Sequence, residues 1–159
     1  SLTLSRKKLL MIDLNFSNNT LTQKNNPHTL IQDIAGSINY NLPLIGQKIW
    51  SNTNIEGLFI IGCKQGNLTP SEALYNIDMK AFLALLKDEF DYILIEAAAL
   101  NDFADSQEMA TYAEAVFTIF SASSSINHAD DKSIKFIASL GEKNKGTILN
   151  NVLKDNINF

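Results

Sequence analysis

Five short apolar runs, four of them ending at a polar residue or a glycine, constrain the fold of this chain more than any other feature. They are Leu9-Leu10-Met11-Ile12 before Asp13, Leu58-Phe59-Ile60-Ile61 before Gly62, Tyr92-Ile93-Leu94-Ile95 before Glu96, Ala115-Val116-Phe117-Thr118-Ile119-Phe120, and Gly146-Thr147-Ile148-Leu149 before Asn150-Asn151. Continuous runs of this length suit strands buried on both faces, because a strand with one wet face would alternate apolar and polar residues. Amphipathic segments lie between them. Met79 to Phe90 carries Phe82, Leu83, Leu85 and Leu86 among Lys80, Lys87 and Asp88. Ser106 to Tyr112 follows, then Asn127 to Leu140 with Ile134, Ile137 and Leu140 at helical spacing and Gly141 as a stop. Thr69-Pro70-Ser71-Glu72 reads as a helix start with Pro in its first turn. Strands alternating with helices predict right-handed βαβ units. The expected fold is therefore α/β, a three-layer sandwich around a mostly parallel five-stranded sheet.

The stretch Ser17 to Asn54 breaks this rhythm. It is rich in Asn and holds one clear helix candidate, Thr29 to Ile34, so it predicts a long, partly irregular surface excursion. It also carries Pro27, Leu42, Pro43, Leu44, Ile45 and Trp50, more apolar content than a solvated loop needs. Leu44 and Trp50 are accordingly candidates for a partner surface. No repeat and no Gly/Ser linker divides the 159 residues, which read as a single α/β domain over 1–159. The opening Ser1-Leu2-Thr3-Leu4 reads as chain already under way, the expectation being a fragment of a longer, membrane-associated protein.

Composition removes several function classes. Hydrophobic residues at 45% and charged residues at 19% exclude a disordered chain. A net charge of -4, with Arg6-Lys7-Lys8 as a lone short basic run, argues against a nucleic-acid partner. His28 and His128 have no Cys partners at ligand spacing, so no metal site is expected. Cys63 is the single cysteine and cannot form an internal disulfide, which fits a reducing compartment. The apolar runs are too short to cross a bilayer, so no direct membrane insertion by this chain is expected.

Several segments match, in order, those of a known family. Lys7-Lys8-Leu9-Leu10-Met11-Ile12-Asp13-Leu14-Asn15-Phe16 resembles the Walker A-prime motif, usually written kvLLIDaDlR. Gly57 to Gly62 followed by Gly66 to Leu74 resembles a segment written glxvlpaGxxpxnPxelL. Phe90-Asp91-Tyr92-Ile93-Leu94-Ile95-Glu96 resembles the Walker B strand fDyViiD. Tyr112 to Val116 is similar to laDxxllV, and Lys145 to Val152 to kvxGvVlNxv. Together these span nearly the whole chain. They resemble the cytoplasmic ATPase-like domain of the bacterial polysaccharide-assembly tyrosine kinases, P-loop proteins that regulate exopolysaccharide chain length and export.

The departures bear on chemistry. A phosphate loop needs GxxxxGK[ST], because backbone N–H groups cradle the phosphates and the Lys reaches the terminal ones. No Gly of this chain is followed by Lys. The resemblance would place that loop just before Ser1. Asn15 stands where the family has a second acid, Ser17 where it has an arginine, and Glu96 where it has the Walker B aspartate. Ala97-Ala98-Ala99 replaces Thr-Pro-Pro, and the chain ends Asn156-Ile157-Asn158-Phe159 with no tyrosine cluster. The resemblance thus marks Asp13, Asn15, Glu96 and Asn150 as the vestige of a nucleotide and Mg²⁺ site. Phosphoryl transfer works by positioning and charge neutralisation. Asn15 can accept a hydrogen bond but cannot act as a carboxylate base. No catalytic residue and no cofactor is therefore expected; ATP and Mg²⁺ enter only with a phosphate loop upstream. The plainer readings make Asp13 and Glu96 solvated or capping carboxylates, and Asn15 with Asn18 and Asn19 turn chemistry. They make Asp102 and Asp105 helix caps, Cys63 a buried inert thiol, His128 a surface residue and Ser121 to Ser125 a loop.

Three functions follow as expectations. The first is a non-catalytic regulatory or interaction domain of an exopolysaccharide or capsule assembly protein, at the cytoplasmic face of the inner membrane. Its partners would be polysaccharide-assembly membrane proteins or further copies of itself. The second is the remainder of an ATP-dependent tyrosine autokinase. The third is a receiver-like signalling module in which Glu96 mimics a phosphorylated aspartate. The resemblance also implies a phosphate-loop strand between the strands matching Tyr92–Ile95 and Ala115–Phe120. Without it, direct pairing of those two saves open backbone groups. The expected order of the five runs is then 2-1-3-4-5.

Overall fold

The structure, a computed structural model of the chain, describes residues 6–39, 48–66, 69–100, 105–125 and 128–153. Its contacts fall into two compact units, Ser1–Ala98 and Ala99–Phe159.

The first unit is organised by β1 (Leu9–Asp13), whose residues Leu10 and Ile12 are fully buried. β1 is flanked by two parallel strands, β3 (Leu58–Ile61) and β4 (Tyr92–Glu96), and the short β2 (Ser51–Asn52) adds antiparallel to β3. The sheet order is β2-β3-β1-β4. The apolar runs become strands because each leaves its backbone groups to a neighbour while both faces of β1 are covered. Helices α1 (Thr20–Asn25), α2 (Ile31–Asn39), α3 (Pro70–Ala73) and α4 (Met79–Lys87) join them. α4 buries Met79, Phe82, Leu83 and Leu86, whereas Leu85, expected with the apolar set, is 59% exposed, and the helix is capped by Asp78 accepting from Ala81 N–H. α3 begins with a capping box: Thr69 accepts from Glu72 N–H while the Glu72 carboxylate accepts from Thr69 N–H. A clamp closes the start of β4, where Asp91 accepts from Lys7 Nζ and from Lys8 N–H, both at 2.8 Å.

The second unit pairs β5 (Val116–Ser121) with β6 (Asn144–Asn150) in parallel, with an irregularity between Val116 and Phe117. α5 (Asp105–Tyr112) and α6 (Asp131–Ser139) complete it.

Two expectations need correction. Ser17 to Asn54 is more regular than its composition predicts: it contains α1, α2 and the edge strand β2. The Asn-rich composition predicts irregular chain, but Asn19 is buried and donates to Cys63 O at 2.7 Å, and Asn26 forms the left-handed C-cap of α1. The expected order 2-1-3-4-5 is also not found. Five runs do form strands, but β4 ends one sheet and β5 pairs with β6 in another. The expectation rested on saving backbone hydrogen bonds, each worth only about 1 kcal/mol net. A parallel sheet also gains from side chains that pack across neighbouring strands and under a covering layer. Tyr92 and Leu94 of β4 are 44% and 50% exposed, and Phe117 and Ile119 of β5 are 59% and 65% exposed. No helix among the described residues is long and apolar enough to cross a membrane.

Candidate functional site

The carboxyl ends of β1 and β4 lie side by side, and Asp13 is the register partner of Glu96. In parallel α/β sheets this end of the strands is where ligands bind. Asp13 is fully buried. Its Oδ1 accepts from Asn15 N–H at 3.0 Å, and its Oδ2 accepts from Thr22 N–H at 2.9 Å and from Thr22 Oγ1 at 2.6 Å. Thr22 Oγ1 in turn accepts from Cys63 N–H at 3.0 Å. One carboxylate and one hydroxyl thus join the loop after β1, the start of α1 and the segment after β3.

Asn15 belongs to a turn. Its Oδ1 accepts from Ser17 Oγ and Asn18 N–H, and its carbonyl accepts a second bond from Asn18 N–H. Glu96 is half-buried at the end of β4. Burial, and then the charge of Asp13, hold its carboxyl above the usual carboxylate range; hydrogen bonding from the Asn15 amide and attraction to Lys24 oppose this. Ala97 and Ala98 beyond it are half-buried and Ala99 is exposed, so no polar side chain follows the strand. Cys63 is buried, and its thiol is pushed up to about 12, first by burial and then by Asp13. A thiol so placed stays protonated and unreactive at neutral pH.

The structure therefore brings Asp13, Asn15 and Glu96 together. Asn150 ends β6 in the second unit, where its carbonyl accepts from Ala122 N–H and its Oδ1 from Asn151 N–H. Trp50 is half-buried, with its ring edge-on to Phe90 at 4.9 Å. Leu44 and Asp102 lie outside the described residues. His128 is exposed and pairs with Asp131 at 3.1 Å. Sequence reasoning missed Thr22, the residue that ties the site together. The one signal available was a Thr following a strand end by nine residues inside an Asn-rich stretch, and that pattern is not specific.

These residues do not fit a Mg²⁺-nucleotide group. Both oxygens of Asp13 already accept protein hydrogen bonds, Asn15 is neutral, and Glu96 is the single carboxylate left facing the strand ends. Among the described residues no cluster of three or more His, Cys, Asp or Glu could hold a metal ion.

The unfavourable charge of Glu96 has a measurable consequence. Its carboxyl titrates above the unfolded value, so the folded state takes up the proton first as pH falls. The stability tied to this group is full below the ordinary glutamate range and is lost as pH rises through the folded value. Glu96→Gln is expected to raise the urea midpoint at pH 7 and to leave it nearly unchanged at pH 4. A variant that is less stable at pH 7 would mean that the Asn15 and Lys24 contacts outweigh burial.

No family model matches the sequence, and no curated protein matches it. Solved structures do share its fold. The BceF tyrosine kinase domain matches 93% of this chain at 19% identity with a TM-score of 0.69. The chimerical protein CapA2B2 matches 96% at 21% identity and 0.74, and the kinase domain of Escherichia coli tyrosine kinase ETK matches 99% at 18% identity and 0.68. The chain spans 58%, 66% and 61% of those three chains. At these identities the likeness is one of fold, and it agrees with the order of motifs read from the sequence. The chain shares the α/β fold of the tyrosine kinase domains of BceF and ETK.

Proposed function

We propose that this chain is a non-catalytic regulatory or interaction domain of a bacterial exopolysaccharide or capsule assembly protein, acting at the cytoplasmic face of the inner membrane. The observation that carries the reading is the state of Asp13. It stands where the family keeps its first acid, yet both of its oxygens hold the chain's own backbone and Thr22. With Asn15 in place of the second acid and alanines after Glu96, the strand ends keep the scaffold of a phosphoryl-transfer site without its charge pattern. Such a domain works by association, with polysaccharide-assembly proteins or with its own copies. Fold likeness alone does not carry function, so the reading rests on these residues.

A second reading is favoured by one observation, the register pairing of Asp13 with Glu96 at the ligand-binding end of the sheet. On it, the chain is the remainder of an autokinase whose phosphate loop lies outside these 159 residues. Titration calorimetry of this chain with Mg²⁺-ATP separates the readings. The expected result is no heat of binding up to low millimolar nucleotide, because beside the committed Asp13 the strand ends offer only the Glu96 carboxylate, and these 159 residues hold no phosphate loop. A saturable isotherm that disappears in Glu96→Ala would overturn the non-catalytic reading.

A further inference from the structure

A cavity of about 450 Å³ opens on the Ser1–Ala98 unit, lined by His28, Thr29, Lys48, Trp50, Ser51 and Asn52. None of the residues at the strand ends lines it. Its walls are held by contacts of their own. Ser51 is buried, and its hydroxyl accepts from the N–H groups of His28 at 2.9 Å and Thr29 at 3.1 Å. Lys48 Nζ donates to Asn52 Oδ1 at 2.8 Å. The Trp50 ring stands at 80° to Phe90, a buried residue, and Phe90 meets Phe59 in the same edge-on manner. The indole is thereby held against Phe90 and is half-buried.

The lining carries one lysine and one histidine. Lys7 and Lys64 each pair with an aspartate, Asp91 and Asp33. Lys48 has no carboxylate partner among the described residues, and the His28 imidazole has no hydrogen-bond partner there. Among the described residues no acidic one lines the cavity, although the chain as a whole has a net charge of -4. A tryptophan ring held by Phe90, a lysine without a counter-charge, an imidazole and short polar groups favour one ligand chemistry, an anion attached to a ring with an apolar face.

We propose that this cavity binds a small sugar phosphate, with the pyranose ring against Trp50 and the phosphate held by Lys48 and His28. The indole offers a rigid apolar surface to the C–H face of the sugar. An ammonium donates charge-assisted hydrogen bonds to phosphate, and the imidazole adds a second donor. Thr29 and Asn52 supply hydroxyl and amide groups for sugar hydroxyls. The volume lies within the range of small-molecule sites. The proposal does not depend on the reading of the strand ends.

Trp50 is the sole tryptophan, so intrinsic fluorescence reports on the cavity directly. Titration with glucose 1-phosphate is expected to give a saturable change at millimolar concentration or below. Inorganic phosphate and methyl glucoside, each carrying half of the contacts, are expected to bind about tenfold more weakly or less. Lys48→Ala should weaken glucose 1-phosphate about tenfold, the worth of one charge-assisted hydrogen bond. Lys48 is exposed, so that variant should fold, which circular dichroism checks. Amide shifts at Thr29, Ser51 and Asn52 in two-dimensional NMR should follow the same isotherm. The proposal is overturned by the absence of saturation, by an unchanged affinity in folded Lys48→Ala, or by an equal response to inorganic phosphate alone.

Discussion

Asp13→Ala is expected to destabilise the protein by about 3–5 kcal/mol, the largest effect of any single polar substitution in the first unit. The change removes a fully buried carboxylate and leaves three donors, Asn15 N–H, Thr22 N–H and Thr22 Oγ1, without their acceptor. Unmet buried donors cost about 1–3 kcal/mol each and do not add simply, because the loop relaxes. At about 2–4 °C per kcal/mol for a chain of this size, the melting temperature should fall by about 10 °C. Asp13→Asn keeps one oxygen but turns an amide N–H₂ toward donors, so it should recover at most about half of the loss. Thr22→Val removes the donor to Asp13 and the acceptor for Cys63 N–H together. A double-mutant cycle between Asp13 and Thr22 should then show coupling of about 1–3 kcal/mol. Additive effects, or an Asp13→Ala loss below about 1 kcal/mol, would show that this carboxylate does not organise the loop.

Gly62→Ala is the second large effect, and it acts at the same node. A Cβ on Gly62 would lie 2.5 Å from Pro27 Cγ, 2.9 Å from Thr22 Cγ2 and 3.0 Å from Leu30 Cδ2. Pro27 belongs to a rigid ring. Thr22 is held by its bonds to Asp13 and Cys63, so neither neighbour yields cheaply. Gly62 also lies in a backbone crossing, donating its N–H to Thr29 O and accepting from Ile31 N–H at 2.8 Å. Overpacking of this kind costs about 1–3 kcal/mol, and this site belongs at the upper end because three neighbours are met at once. Gly66→Ala is the control: a Cβ there meets nothing within 4 Å, so it should change stability by less than about 0.5 kcal/mol. Urea denaturation of the two variants decides the matter, and equal midpoints would show that the α1 region moves freely away from β3.

Much of this was legible before any coordinates. The runs at Leu9, Leu58, Tyr92, Val116 and Thr147 all lie in strands, but the burial on both faces that such runs predict is met by β1 and not by β4, β5 and β6, where Leu94, Ile119 and Leu149 are 50%, 65% and 57% exposed. Most of the α4 stripe and the helix start at Thr69-Pro70-Ser71-Glu72 were readable because both depend on residues within a few positions of one another; the capping box at that start came from the structure alone. Asp13, Asn15 and Glu96 could be placed near one another from the motif order alone, since parallel strands put their carboxyl ends on one edge.

What those residues do there was decided only by tertiary structure. Asp13 reads equally well as a solvated acid, a metal ligand or a cap. Its role as the acceptor that gathers Asn15 and Thr22 follows from a helix that the Asn-rich composition concealed. Gly62 looks like an ordinary strand terminator until Pro27, Thr22 and Leu30 close over it. The sheet order went the other way from expectation. Pairing β4 with β5 satisfies a backbone count that sequence can supply, but whether side chains on either side are covered is a non-local question. Sequence by itself determined the five strand runs, the helices between them and their α/β alternation, because those rest on periodicity and local caps; α1 and β2 within Ser17 to Asn54 were not among them. The partners of β4 and β5, the commitment of Asp13 to its own loop, and the clustering of Lys48, His28 and Trp50 around one cavity depend on contacts between residues far apart in the chain. Such contacts leave no local pattern, because their free energy is realised only once the segments meet.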